Sequence, residues 1–187
     1  MKPDNQDKKI IDVALGRDQA DLAITNARIV NVYTGEILDN MSVCTSGARI
    51  ACLAPDVSHA IGDSTRVINA DGATVIPGLI DGHAHLAWLF TADQFVKYAA
   101  PGGTTTIITE TLEVYPAAGV NGVLDFMASL RDQPIKFFGT APPMVSISKA
   151  ANGINMSDLE QLLKQPDIVG LGESYWQSVM QHQEIML

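Results

Sequence analysis

Hydrophobic and polar positions fall into two regimes that meet near Pro77. Between about residues 21 and 75 the apolar runs are short and broken by turn signals. Leu22 with Ile24, and then Ile29, Val30 and Val32, predict strands. Residues 50–53 and the pair Val67-Ile68 predict further short ones. Thr34-Gly35, Ser46-Gly47 and Asp71-Gly72 predict tight turns between them. A helix over about residues 8–15 is expected to precede this region and to end at Gly16. Residues 1–76 therefore read as a helix plus a small β-sandwich module.

After Pro77-Gly78 the pattern becomes strands alternating with helices. Residues 79–85 form an apolar run ending in polar positions. Thr91-x-x-Gln94 has the form of a capping box for a helix that stops before Pro101. Residues 103–109 are β-branched Thr and Ile, a strand composition. A helix over about 119–130 follows, then a strand over 135–140. Ser157-x-x-Glu160 is a second capping box, with its helix ending at Pro166, and residues 168–172 form a fourth strand. Strands joined by helices in this way predict a parallel sheet with helical crossovers. A closed (β/α)8 barrel takes about 250 residues. About 110 of the 187 residues follow Pro77, enough for roughly four of eight strands. The expected fold class is α/β, with the small β module (1–76) followed by the first half of a TIM-type barrel (77–187).

The chain is 47% hydrophobic and 18% charged, a core-forming composition. Its net charge of −9 argues against nucleic acid and anionic membrane as partners. The two cysteines, Cys44 and Cys52, match no metal or redox spacing and are expected to be reduced, buried strand residues. With no signal-peptide pattern at the N-terminus and no apolar run long enough to span a bilayer, the cytoplasm is the expected location.

The candidate chemistry lies in Pro77-Gly-Leu-Ile-Asp81-Gly-His83-Ala-His85. Residues i and i+2 of a strand share one side, so His83 and His85 present two imidazoles together. They stand at the C-terminal end of the first barrel strand, where barrel active sites are built. Two neutral imidazoles suit Zn, Mn or Fe, as one ion or two. Two polar residues closing an ordinary strand would look similar, but the flanking β module and capped helix favour the metal. Asp81 lies one step further along the same face and is expected to orient a ligand. Glu173, ending the fourth strand in Gly170-Leu-Gly172-Glu173, points to the same mouth and is expected to ligate metal and to take part in catalysis; a helix-capping or solvated acid is the alternative. Glu110 and Glu113 lie near the mouth and are expected to touch substrate, against the alternative of solvated loop acids. His59 and His182 read as solvated surface histidines.

The H-x-H strand after V-I-P-G-L-I-D-G resembles the amidohydrolase superfamily. D-V-A-L-G-R, A-D-L-A-I-T-N-A-R-I-V-N-V-Y-T-G-E-I, P-G-G-T-T-T and I-V-G-L-G-E narrow the resemblance to the adenine deaminase family, over about residues 10–173. That resemblance implies a divalent metal held by His83, His85 and Glu173, with Glu173 bridging where two ions bind. It also implies a small-molecule substrate (a purine base or cyclic amide) and, by analogy, possible homo-oligomers. The family's other ligands, two histidines and an aspartate, come from later strands. The apolar end at residues 184–187 looks cut, and the 187-residue chain alone is expected to be inactive.

Two departures stand out. The family continues H-x-H-I-E-S-S, whereas this chain has Leu86-Ala87-Trp88-Leu89 after His85. The family's D-P-H-E is replaced by Glu110-Thr111-Leu112-Glu113. Another amidohydrolase activity, on a cyclic amide or N-acyl group, and a non-catalytic remnant are the competing expectations.

Overall fold

A computed structural model describes residues 5–143 and 153–174; His182 and the chain end at 184–187 lie outside them. The chain divides between Pro77 and Gly78 into two compact units.

The first unit opens with α1 (Asn5–Ala14), which buries Val13 completely. The helix ends on Gly16 at φ +70, and a Cβ there would come within 3.0 Å of the His59 carbonyl. Only glycine meets both conditions without strain. The strands are β1 (Leu22–Asn31), β2 (Glu36–Ser46), β3 (Arg49–Ala54), β4 (Arg66–Asn69) and β5 (Thr74–Val75). They form one sheet in the order β3-β2-β1-β4, with β5 also paired to β1. β2 runs antiparallel to β1 and β3, while β4 and β5 run parallel to β1.

The runs at Leu22 and Ile29 prove to be one strand. Its pairing register shifts on either side of Ala27, and Asn26 takes φ 54. A bulge absorbs the break in alternation that a turn would otherwise explain, and Asn tolerates the left-handed conformation. Val32 lies beyond the strand and is exposed. β2 escaped the sequence pattern because Glu36, Ile37, Asp39 and Asn40 are exposed in its first half, where only Leu38 packs partly against the core; its fully buried side chains begin at Ser42. Small residues fill the core: Val13, Ala20, Ala23, Cys44, Val57 and Ala60 form one cluster, and Ala27, Ile29 and Val43 another. Cys44 and Cys52 are free thiols facing each other across β2 and β3, with sulfurs 2.7 Å apart; Cys44 is buried and Cys52 only partly so.

The second unit is α/β. Its sheet is β6 (Leu79–Ala84), β7 (Thr104–Thr109), β8 (Lys136–Ala141) and β9 (Ile168–Leu171), in chain order and parallel throughout. The helices are α2 (Leu86–Leu89), α3 (Ala92–Ala99), α4 (Tyr115–Ser129) and α5 (Met156–Leu163). Leu86, Ile107, Val123, Met127, Leu159 and Leu162 anchor one continuous core. Truncating a fully buried residue there, such as Leu162, to Ala costs about 2–5 kcal/mol.

Two helix starts and one cap differ from the sequence expectation. α4 begins at Tyr115, with Pro116 in its first turn, and runs through a kink at Gly119, the residue expected to open it. α5 is capped by Asn155, whose side chain accepts the Asp158 N–H at 2.9 Å, two residues before the expected Ser157 cap. Thr91 precedes α3 but gives its hydroxyl to Asp93 instead of capping the backbone. α2 is a single turn that no periodicity announced.

Because the four strands of the second unit are parallel, their C-terminal ends lie along one edge. Residues 83–85, 110 and 172–173 are all carried there.

Candidate metal centre

Alternation along β6 sets His83 and His85 on one side, their rings edge to face with centroids 5.0 Å apart. Their Nε2 atoms approach to 3.2 Å. Glu173, just past β9, brings Oε1 to 3.2 Å from His83 Nε2 and 3.7 Å from His85 Nε2. Ligand atoms of the three side chains all lie within 4.8 Å of one another. Two ligands of a tetrahedral ion at 2.0–2.1 Å stand about 3.3 Å apart. The donor set, two imidazoles and a carboxylate, therefore fits a divalent transition metal in both chemistry and spacing.

The opposite edges of both rings face carboxylates. His85 Nδ1 is hydrogen-bonded to Glu113 Oε1. His83 Nδ1 lies 3.7 Å from Glu110 Oε1, near enough for charge but too far for a hydrogen bond. A carboxylate on Nδ1 places the proton there and leaves the Nε2 lone pair free for a metal. Burial disfavours a charged His85, but the Glu113 hydrogen bond and the charges of Glu113, Glu173 and Glu110 outweigh it and raise its pKa.

Glu110 is almost fully buried and braces three segments. Its N–H donates to the Ala84 carbonyl at 2.7 Å, and its Oε2 accepts the Glu173 N–H at 3.3 Å. The space it occupies exists because residue 172 is glycine. A Cβ there would fall 2.1 Å from Glu110 Oε2 and 2.7 Å from Thr140 Oγ1. Beneath the site, Thr109 accepts the Leu86 N–H at 3.2 Å, and Thr111 donates to the Thr140 carbonyl at 2.7 Å.

His83, His85 and Glu173 thus come together, as their positions at strand ends predicted. Glu110 and Glu113, expected at the substrate, are instead turned onto the histidines and largely buried. Asp81 bonds no imidazole among the described residues; its Oδ1 accepts the His83 backbone N–H at 3.2 Å. His59, in the first unit, is exposed but bonds the Ala14 carbonyl at 3.1 Å, tying down the end of α1. Sequence reasoning missed Trp88, which stacks on His85 with ring centroids 4.7 Å apart and planes 20° from parallel. Its departure from the family pattern was the available signal.

No protein-family model matches the chain. It is 35% identical over 170 residues to adenine deaminase 3 of Rhizobium meliloti, covering 88% of this chain and 29% of that protein. Adenine deaminase of Clostridium botulinum is 34% identical over 171 residues, covering 89% and 28%. Among solved structures, an adenine deaminase superposes with TM-score 0.56 at 22% identity, covering 82% of this chain and 41% of that one. The zinc complex of atrazine chlorohydrolase TrzN from Arthrobacter aurescens gives TM-score 0.59 at 16% identity, covering 80% and 46%. These two likenesses show the fold alone. The chain spans under a third of the length of the curated relatives it matches. Over most of its length the chain is therefore similar in sequence to adenine deaminases and similar in fold to the solved adenine deaminase.

Proposed function

We propose that this chain carries the opening part of a metal-dependent hydrolytic deaminase site that converts adenine and water to hypoxanthine and ammonia. The observation that carries this reading is the convergence of His83 Nε2, His85 Nε2 and Glu173 Oε1 at the C-terminal edge of a parallel sheet. Residues 77–187 are read as the opening half of a (β/α)8 barrel, and residues 1–76 as its accompanying β module. The sequence likeness to adenine deaminases supplies the substrate class.

His83 and His85 would hold a divalent ion through Nε2, and Glu173 would complete the set on this chain. A divalent ion bound there supplies activated water at neutral pH, since coordination lowers the pKa of water from 15.7 towards about 7. Glu113 holds the His85 proton on Nδ1. Glu110 fixes the Glu173 backbone and sets a negative charge behind His83. Asp81 steadies the backbone of His83. Each keeps a ligand atom aimed at one point, a preorganisation that lowers the reorganisation needed during reaction.

A second reading keeps the metal and changes the substrate to a cyclic amide. Trp88 and Leu112 favour it, since they put apolar side chains where the resemblance leads one to expect serine and histidine. Metal content and ammonia release from adenine, measured on the chain alone and on the chain extended through any coding sequence that follows, test both. Ammonia release with bound metal supports the deaminase. Metal with turnover of cyclic imides and none of adenine supports the second reading, and absence of metal from both proteins rejects both.

A further inference from the structure

Trp88 belongs to none of the core clusters and is 63% exposed, yet its indole lies almost parallel to the imidazole of His85. Local structure explains how it gets there. His85 precedes α2, Leu86 pins that turn into the core, and the Trp88 N–H returns to the His85 carbonyl at 3.3 Å. Residues three apart on one turn share a face, so the indole folds back over the ring. Burial does not account for the placement; the ring contact does.

We propose that Trp88 is a positioning residue that fixes the plane of the His85 imidazole, and so the direction of Nε2. Glu113 restrains the ring at one atom and leaves it able to rock about that hydrogen bond. Stacking across the whole face removes the rocking. An aromatic pair of this kind contributes through contact and quadrupole terms that a small side chain lacks. Phenylalanine keeps a flat face and should substitute; alanine should not. His83, 52% exposed in its side chain against 22% for His85, has no such partner among the described ring contacts, which makes His85 the firmer of the two ligands.

The inference rests on the metal reading above, and its test separates the two. Proton NMR of the metal-free chain reads the stack, because an overlying indole shifts the His85 ring protons upfield; loss of those signals in His85→Asn assigns them. Zinc titration of the same samples reads the consequence. In Trp88→Ala the His85 signals should return to ordinary positions and zinc affinity should fall about tenfold, the usual loss when support behind a ligand is removed. In Trp88→Phe both should stay close to the parent. Unshifted His85 signals in the parent overturn the proposal, and so does unchanged zinc affinity in Trp88→Ala. A parent chain that binds no zinc counts against a three-ligand centre on this chain by itself; the stack is then judged by the ring shift alone, present or absent.

Discussion

The carboxylate of Glu113, in the segment after β7, is hydrogen-bonded to Nδ1 of His85, just past the end of β6. One side chain thereby settles which nitrogen of the histidine faces the other ligands. The second Glu113 oxygen is buried without a hydrogen-bond partner among the described residues, so the carboxylate is committed to this contact. Glu113→Gln keeps the shape and removes the charge. Zinc affinity by calorimetry should fall about 10- to 100-fold, the range for losing an orienting carboxylate. Unchanged affinity would show that the contact does not tune the ligand.

His85 gives the site a defined pH response. Its folded pKa is raised above 6.5, so the metal-free fold favours the imidazolium. That stabilisation is fully present below the unfolded value and is lost as pH rises through the raised folded value. A metal needs the neutral ring and competes with this proton. Zinc binding at pH 6 should release protons, seen as a dependence of the calorimetric heat on the buffer's ionisation enthalpy. The release should diminish at higher pH, and Glu113→Gln should shift the response to lower pH. A heat independent of buffer at pH 6 would count against this.

Gly172 makes room for Glu110, and Gly172→Ala would drive a methyl into its carboxylate and Thr140. Overpacking of this kind costs about 1–3 kcal/mol. Thermal melts should show the loss, and zinc affinity should fall with it because the Glu173 N–H is held by Glu110. A variant that melted and bound like the parent would mean the loop moves aside freely.

Cys52 titrates far from the ordinary thiol range. Burial, then the neighbouring Cys44 thiol, push its pKa up to about 12. It should resist alkylation at pH 8 while the chain is folded and react readily once the chain is unfolded in urea. The folded state holds the proton between the ordinary value of 9.0 and about 12, so this group's contribution to stability is full below 9 and declines across that window. Equal labelling of folded and unfolded chain would contradict the shift.

The strand positions of His83, His85 and Glu173 were legible because a period of two and a parallel sheet leave few places for them to go. The partners of Glu110 and Glu113 were not. Both are acids at the mouth of a sheet, and the sequence alone does not say whether such a side chain turns to solvent, to substrate or back onto a histidine. That depends on Gly172 leaving space and on the loop after β7 folding inward. The β1 bulge at Asn26 and the mostly polar first half of β2 were hidden for a related reason: alternation marks a strand only where one face is buried. Ser157 did not cap α5 because Asn155, two residues earlier, accepts the Asp158 N–H and starts the helix at Met156, which places Ser157 inside it.

Zinc titration of the parent chain beside His83→Ala, His85→Ala and Glu173→Gln tests the three-ligand centre most directly. The account predicts one tight ion on the parent and a large loss of affinity in each variant, with circular dichroism unchanged. Equal binding by the parent and all three variants, or no binding by any of them, would contradict it.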